Sequence, residues 1–227
     1  MFLGRTIEPI HSKAIPVIPT TDEAQGRIGA EGVIRHLNQS NNSNYRALLS
    51  HMPNYRRASV SGGCFFFAVN LLEQRQTLLV DQIALLREAV STTRRSHPFT
   101  IDAFVVLPDH VHAIWTLPPD HRDFSMRWRL IKSRFAKALP KRERLSDARI
   151  ARGEHGIWQR RIWEHLIRDE AEYTRHVDYC HLNSVKHDLV KRVRDWPHSS
   201  FHRDAEAGIV PLDWAGDIDP AGDFGER

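Results

Sequence analysis

In the segment VVLPDHVHAIWTLP, His110 and His112 flank Val111. On a strand, alternate side chains share a face, so both imidazoles project one way and Val111 the other. Two imidazoles about 7 Å apart on one strand face can grip a single cation. The chain holds 14 histidines, however, and the same spacing serves equally as an ordinary surface pair. A second group lies in EYTRHVDYCHLNSVKH. At about 100° per residue on a helix, Tyr173, Val177, Cys180 and Ser184 form one stripe, the natural core face. Tyr179 falls roughly 100° from that stripe. Asn183 stands one turn above it, and His176 and Lys186 lie on the same side. Tyr173 is therefore expected in the core. Tyr179 is either a reactive side chain or a half-buried surface aromatic.

The elements that must carry these groups follow from periodicity. Gly62-Gly63 reads as a turn, and Cys64–Leu72 as a strand rich in aromatic and branched residues. Asp81–Thr93 places Ile83, Leu86, Ala89 and Val90 on one face of a helix. Phe99–Leu107 and His110–Leu117 read as strands joined at Pro108-Asp109, a hairpin. Phe124–Leu139 reads as a helix with Phe124, Trp128, Ile131, Phe135 and Leu139 along its buried stripe, and residues 140–156 as a basic loop. A fourth strand is expected around Arg161–Ile167. Asp169 then caps a helix running to about Lys186, with Glu170 and Glu172 in its first turn. Strand, helix, strand, strand, helix, strand is the order of an α+β, ferredoxin-like antiparallel sheet.

The 227 residues carry 32 Lys+Arg against 28 Asp+Glu, a net +4 that conceals a gradient. Residues 1–51 total +1, residues 52–203 total +9 and residues 204–227 total −6; residues 127–161 alone hold +9. Such a stripe is either the footprint of a nucleic-acid binder or a solvated helix face. Arg127, Arg129, Lys132, Arg134, Lys137, Arg160 and Arg161 are its candidate DNA contacts. Trp158 and Trp163 are candidates either for stacking on bases or for the core. No apolar run reaches membrane-spanning length and no secretory leader is present, so a cytoplasmic protein without membrane association is expected. Cys64 and Cys180 lack the spacing of a zinc site or a disulfide scaffold.

Residues 1–52 show no sustained apolar period and are expected to be a disordered extension. A translation start at Met52 would leave the patterned region whole, so the first 51 residues are an extension or a misassigned start. The patterned domain is expected over 53–203. An acidic tail follows over 204–227, anchored at Ile209, Leu212 and Trp214 and able to compete with DNA for the basic stripe.

VVLPDHVHAIWTLP, GIWQRRIWEHLIR and HVDYCHLNSVKHDLV together resemble the tyrosine transposases of the His-hydrophobic-His nuclease superfamily, and among them the REP-associated tyrosine transposases. The resemblance runs in order from about Pro53 to Asp217 and includes DFSMRWRLIKSRF, DWPHSSFHR and PLDWAGD. It implies that His110 and His112 are metal ligands, that Asn183 is the amide-type third ligand, and that Tyr179 is the nucleophile. Mixed N/O ligation with phosphate oxygens suits Mg²⁺ or Mn²⁺. Tyr179 would displace a 3′-hydroxyl and leave a 5′-phosphotyrosine link, which a free 3′-hydroxyl can reverse without a nucleotide cofactor. A phenol titrates near pH 10, so attack at neutral pH needs help, and Lys186 and His176 are the candidates for electrostatic support. The implied partner is single-stranded DNA or its short palindromic hairpin, and the implied state a monomer, with a dimer left open. One departure is visible: the family commonly has Asn-Pro where this chain has Asn183-Ser184, which bears on where the helix ends. Two other functions fit part of the sequence. One is a catalytically silent hairpin-binding relative; the other is a His-based metal hydrolase, which leaves Tyr179, Asn183 and the charge unused.

Overall fold

The computed structural model describes residues 59–73, 76–139 and 156–215. The expectations for the first 58 residues, for most of the basic loop and for the tail from residue 216 lie outside them. Four strands, β1 (Cys64–Asn70), β2 (Thr100–Val106), β3 (His110–Thr116) and β4 (Trp163–Ile167), form one sheet in the order β2-β3-β1-β4. All neighbours are antiparallel. The helices are α1 (Leu78–Asp81), α2 (Ile83–Ser96), α3 (Phe124–Ala138), α4 (Glu170–Lys186) and α5 (Phe201–Glu206). This is the ferredoxin-like α+β arrangement that the order of elements predicts.

Helices cover both sheet faces, which is why β1 is a continuous apolar run instead of an alternating one. Phe65, Phe67 and Val69 join Val111, Ala113 and Trp115 beneath α2 and α3, with Trp115 stacked on Trp128 at 4.2 Å. Phe66 and Ala68 join Val105 and Ile114 beneath α4. The turn before β1 requires glycine: Gly62 has φ of 69°, and a Cβ there would stand 3.3 Å from the Pro119 backbone. Helix α2 starts two residues later than its pattern suggests and runs on to Ser96, its last turn carrying Arg94 and Arg95, which complement the partial negative charge of a helix C-terminus.

Helix α4 opens as its sequence predicts, with the Asp169 side chain accepting from the Glu172 amide at 2.8 Å. Its far end depends on Ser184. A proline there would remove an amide donor and clash with the preceding turn. With serine, the helix continues to Lys186 and closes through Asp188 in the left-handed conformation (φ 55°), the Leu189 amide donating to the Ser184 carbonyl at 3.0 Å.

Helix α5 and the residues up to Trp214 pack on the fold across the boundary expected at residue 203. Ser199 bridges to Val105, α5 spans the expected junction, and Asp204 is buried with its carboxylate 3.4 Å from His181 Nε2. Burial alone pushes the Asp204 carboxyl up, but the hydrogen bonds and charges of His181 and Arg203 outweigh it and hold the group below its ordinary range. The anchoring side chains also differ from expectation. Val210 and Trp214 pack with Val193 and Phe201, whereas Ile209 and Leu212 are exposed. The pattern of alternating Gly, Pro and apolar residues does not say which apolar residue turns inward; contact with α4 and α5 decides it.

Candidate active site

The central strand β3 presents His110 and His112 on the face covered by α4, and Val111 on the other. The two imidazole rings lie edge to face with centres 5.0 Å apart. Nδ1 of His110 donates to Asp109 Oδ1 at 2.7 Å, fixing the ring and leaving Nε2 as its lone-pair nitrogen. A carboxylate behind a histidine in this way is the usual support of a metal-binding imidazole. Two imidazoles on one ion have ring centres about 4.5–5 Å apart, so the observed spacing fits a shared cation. Asn183, fully buried on α4, adds an amide on the same helix as Tyr179. Among the described residues no group of three or more His, Cys, Asp or Glu side chains could hold a metal ion.

Tyr179 is where the structure departs most from the helical stripe. It is not a half-buried surface aromatic: it is 1% exposed and part of the same cluster as Tyr173, Val177 and Cys180. Helix α4 is enclosed on two sides, by the sheet and by the segment carrying Phe201 and Trp214, so its buried arc is far wider than one stripe. The Tyr179 ring stands 5.2 Å from that of His112 and 5.9 Å from that of Phe66, both edge to face. The two tyrosines are not equivalent, because burial pushes the Tyr173 hydroxyl well above the ordinary phenol range. Tyr179 instead meets a cation. Lys186 Nζ donates to its hydroxyl at 3.2 Å and sits 4.8 Å over its ring. The helix continuation through Ser184 is what brings Lys186 there.

His176 does not share that role. It is buried, stacks on His165 at 5.0 Å, and its Nδ1 bonds the Glu172 carbonyl at 2.6 Å. Burial pushes its imidazole down to about 4, so at neutral pH it carries no charge with which to support a phenolate. Three residues that the sequence did not single out complete the site. Asp109 orients His110, Phe66 floors the space between His112, His176 and Tyr179, and His187, just past the end of α4, lies 4.9 Å from His110 ring to ring. Only Asp109 had a signal in the chain, its position beside the first histidine. Trp163 stands edge to face with Phe66 at 5.8 Å, whereas Trp158 packs against Phe135 at 5.4 Å and belongs to the core.

The basic stripe divides. Arg127 is fully buried, bonded to Asp123 and to the Pro98 carbonyl, and is no surface contact for DNA. Lys132 and Arg134 are half-buried and tied to the Gln159 carbonyl and the Thr93 hydroxyl. Arg129, Lys137, Arg160 and Arg161 are exposed. Helix α3 packs on the sheet face away from Tyr179, so its charges do not line the space between the histidine strand and the tyrosine helix. Cys64 and Cys180 are buried and outside any disulfide among the described residues, and burial pushes the Cys180 thiol up, in keeping with a packing role. No helix among the described residues is long and apolar enough to cross a membrane.

A ferredoxin-like antiparallel sheet with His-hydrophobic-His on a central strand, and a tyrosine helix packed over that pair, defines a protein of the His-hydrophobic-His nuclease fold. The comparison with known proteins narrows this. The REP-associated tyrosine transposase of Escherichia coli is 48% identical over 167 residues, covering 74% of this chain and 93% of that one. A relative from Haemophilus influenzae is 43% identical over 169 residues, 74% of this chain and 96% of that one. A solved REP-associated tyrosine transposase bound to a REP hairpin superposes with a TM-score of 0.67 at 48% identity, covering 78% of this chain and 98% of that one. No protein-family model matches the sequence. The chain belongs to the REP-associated tyrosine transposases.

Proposed function

We propose that this protein cleaves and rejoins single-stranded DNA at short palindromic hairpins, with Tyr179 as nucleophile and His110, His112 and Asn183 as the ligand set of a divalent cation. One observation carries the assignment: Tyr179 stands against His112 with an ammonium on its hydroxyl. A relative solved with a REP hairpin supports the choice of DNA.

Lys186 stabilises the negative charge that grows on Tyr179 Oη during attack. Tyr179 Oη forms a bond to the scissile phosphorus, the bond to the 3′-oxygen breaks, and the phenolic proton ends on the departing 3′-hydroxyl. The product is a 5′-phosphotyrosine ester. Its free energy remains close to that of the phosphodiester, so another 3′-hydroxyl reverses the exchange and joins strands without a nucleotide cofactor. Mg²⁺ or Mn²⁺, when bound, supplies Lewis-acid polarisation of the phosphate. His110, His112 and Asn183 would hold it, and the hydrogen bond to Asp109 fixes the His110 ring. Arg129, Lys137, Arg160 and Arg161 contact DNA phosphates outside the cleavage site, so binding weakens with salt.

The test is a labelled single-stranded hairpin incubated with the full chain and Mg²⁺ or Mn²⁺, followed by denaturing electrophoresis. A covalent adduct that disappears in Tyr179→Phe is expected. An adduct that survives the substitution refutes the nucleophile. Binding without cleavage under either metal identifies a silent hairpin-binding relative, and hydrolysis of small phosphoesters without DNA binding a metal hydrolase.

A further inference from the structure

Tyr179, His112, His110 and His187 form an unbroken run of rings, each edge to face with the next, with centres 5.2, 5.0 and 4.9 Å apart in that order. Helix α4 supplies both ends of the run and β3 the middle. Tyr179 lies within the helix and His187 caps its end, about 12 Å further along the axis. The cap is held in place, because the His187 amide donates to the Asn183 carbonyl at 3.1 Å and Asp188, with φ of 55°, then turns the chain away. Tyr179 and His112 are buried, whereas His187 is exposed. A DNA strand reaching the histidine pair from solvent therefore meets the His187 imidazole beside it.

We infer that His187 is a further catalytic residue, whose imidazole N–H donates a hydrogen bond to the 3′-oxygen that departs when Tyr179 attacks. The inference rests on the reaction proposed above and gives a part in it to a residue that reaction leaves unused. In phosphoryl transfer the attacking and leaving oxygens stand roughly in line, on opposite sides of phosphorus. A phosphate against His110 and His112 has Tyr179 at one end of the run of rings and His187 at the other, so the leaving oxygen emerges toward His187. The two oxygens whose charge changes are then served by adjacent residues, Lys186 at the Tyr179 hydroxyl, 3.2 Å away, and His187 at the departing oxygen. Imidazole carries an N–H in each of its forms, so the contact does not depend on ionisation. It disperses the negative charge that builds on the 3′-oxygen until that oxygen takes up the phenolic proton, and no covalent bond of His187 forms or breaks. In the rejoining step the same imidazole meets the incoming 3′-hydroxyl.

Two full-length variants test this, His187→Ala and His187→Gln, the second of which keeps an N–H donor. Single-turnover adduct formation at saturating Mn²⁺ is measured on a hairpin substrate with oxygen at the 3′ position of the bond the parent protein cleaves, and on the same substrate with sulfur in that place. A thiol titrates at about 8.5, far below an alcohol, so a thiolate departs without a donor. His187→Ala is expected to lose about 10- to 100-fold on the oxygen substrate and to keep the parent rate on the sulfur substrate. Its half-saturating Mn²⁺, hairpin Kd and melting temperature are expected to match the parent protein, and His187→Gln to recover part of the loss. An equal loss on both substrates overturns the role, as does a parent rate on the oxygen substrate. A rise in half-saturating Mn²⁺ that accounts for the loss also overturns it, because His187 is then a metal ligand. A glutamine variant no faster than the alanine variant removes the N–H as the cause. No adduct in the parent protein, or one that survives Tyr179→Phe, refutes the underlying reaction, and this role with it.

Discussion

Replacing Lys186 by methionine removes the ammonium from the Tyr179 hydroxyl while keeping an unbranched side chain only one atom shorter. The two groups are 3.2 Å apart, so a unit charge on each interacts by about 5 kcal/mol at an effective dielectric near 20 and about 1.3 kcal/mol in water. Lys186 is exposed, which places the effect toward the lower value, about 1.5–2.5 kcal/mol, in the range of a hydrogen bond to a charged group. The expected outcome is a loss of about 10- to 70-fold in the single-turnover rate of phosphotyrosine formation at pH 7.5. Lys186→Arg, which keeps the charge, is expected to retain most of the rate. A Lys186→Met protein that forms the adduct at the parent rate at pH 7.5 would refute electrostatic support by this residue.

Asp109→Asn leaves His110 in place but weakens the acceptor that orients it. The Mn²⁺ concentration for half-maximal adduct formation is expected to rise about 10- to 100-fold, while metal-free hairpin affinity stays constant. His176, held neutral with its imidazole pushed down to about 4, binds fewer protons folded than unfolded as pH falls from about 6.5 toward 4. Its contribution is therefore intact above pH 6.5 and is lost on acidification, by about 2.5 kcal/mol at pH 4.5. Thermal melting at pH 7 and pH 4.5 should show a smaller acid-induced drop in His176→Leu than in the parent protein, and an equal drop would disprove the assignment.

The strands, the three long helices and their order were legible because each carries a period its neighbours lack. β1 is an unbroken apolar run, α3 has its apolar residues at helical spacing, and α4 begins at an aspartate that caps it. The histidine pair was legible for the same reason, since alternation on a strand needs no tertiary information. The pairing of Tyr179 with that strand came from ordered resemblance along the chain, and helical geometry alone placed the tyrosine off the core. That failed because a helical wheel assumes one buried side, and α4 has two. The acidic composition of the end of the chain likewise hid the fact that Asp204 and Val210 are structural.

What the sequence determined by itself is the set of chemical groups and the element each one rides on, because local periodicity and capping are properties of neighbouring residues. Tertiary structure alone decided which of those groups meet. It set Tyr179 against His112 and left His176 neutral. It buried Arg127 and set the charges of α3 on the far side of the sheet from the tyrosine. Charge and burial depend on what lies across the sheet or behind the helix, and residues distant in the chain supply those surroundings.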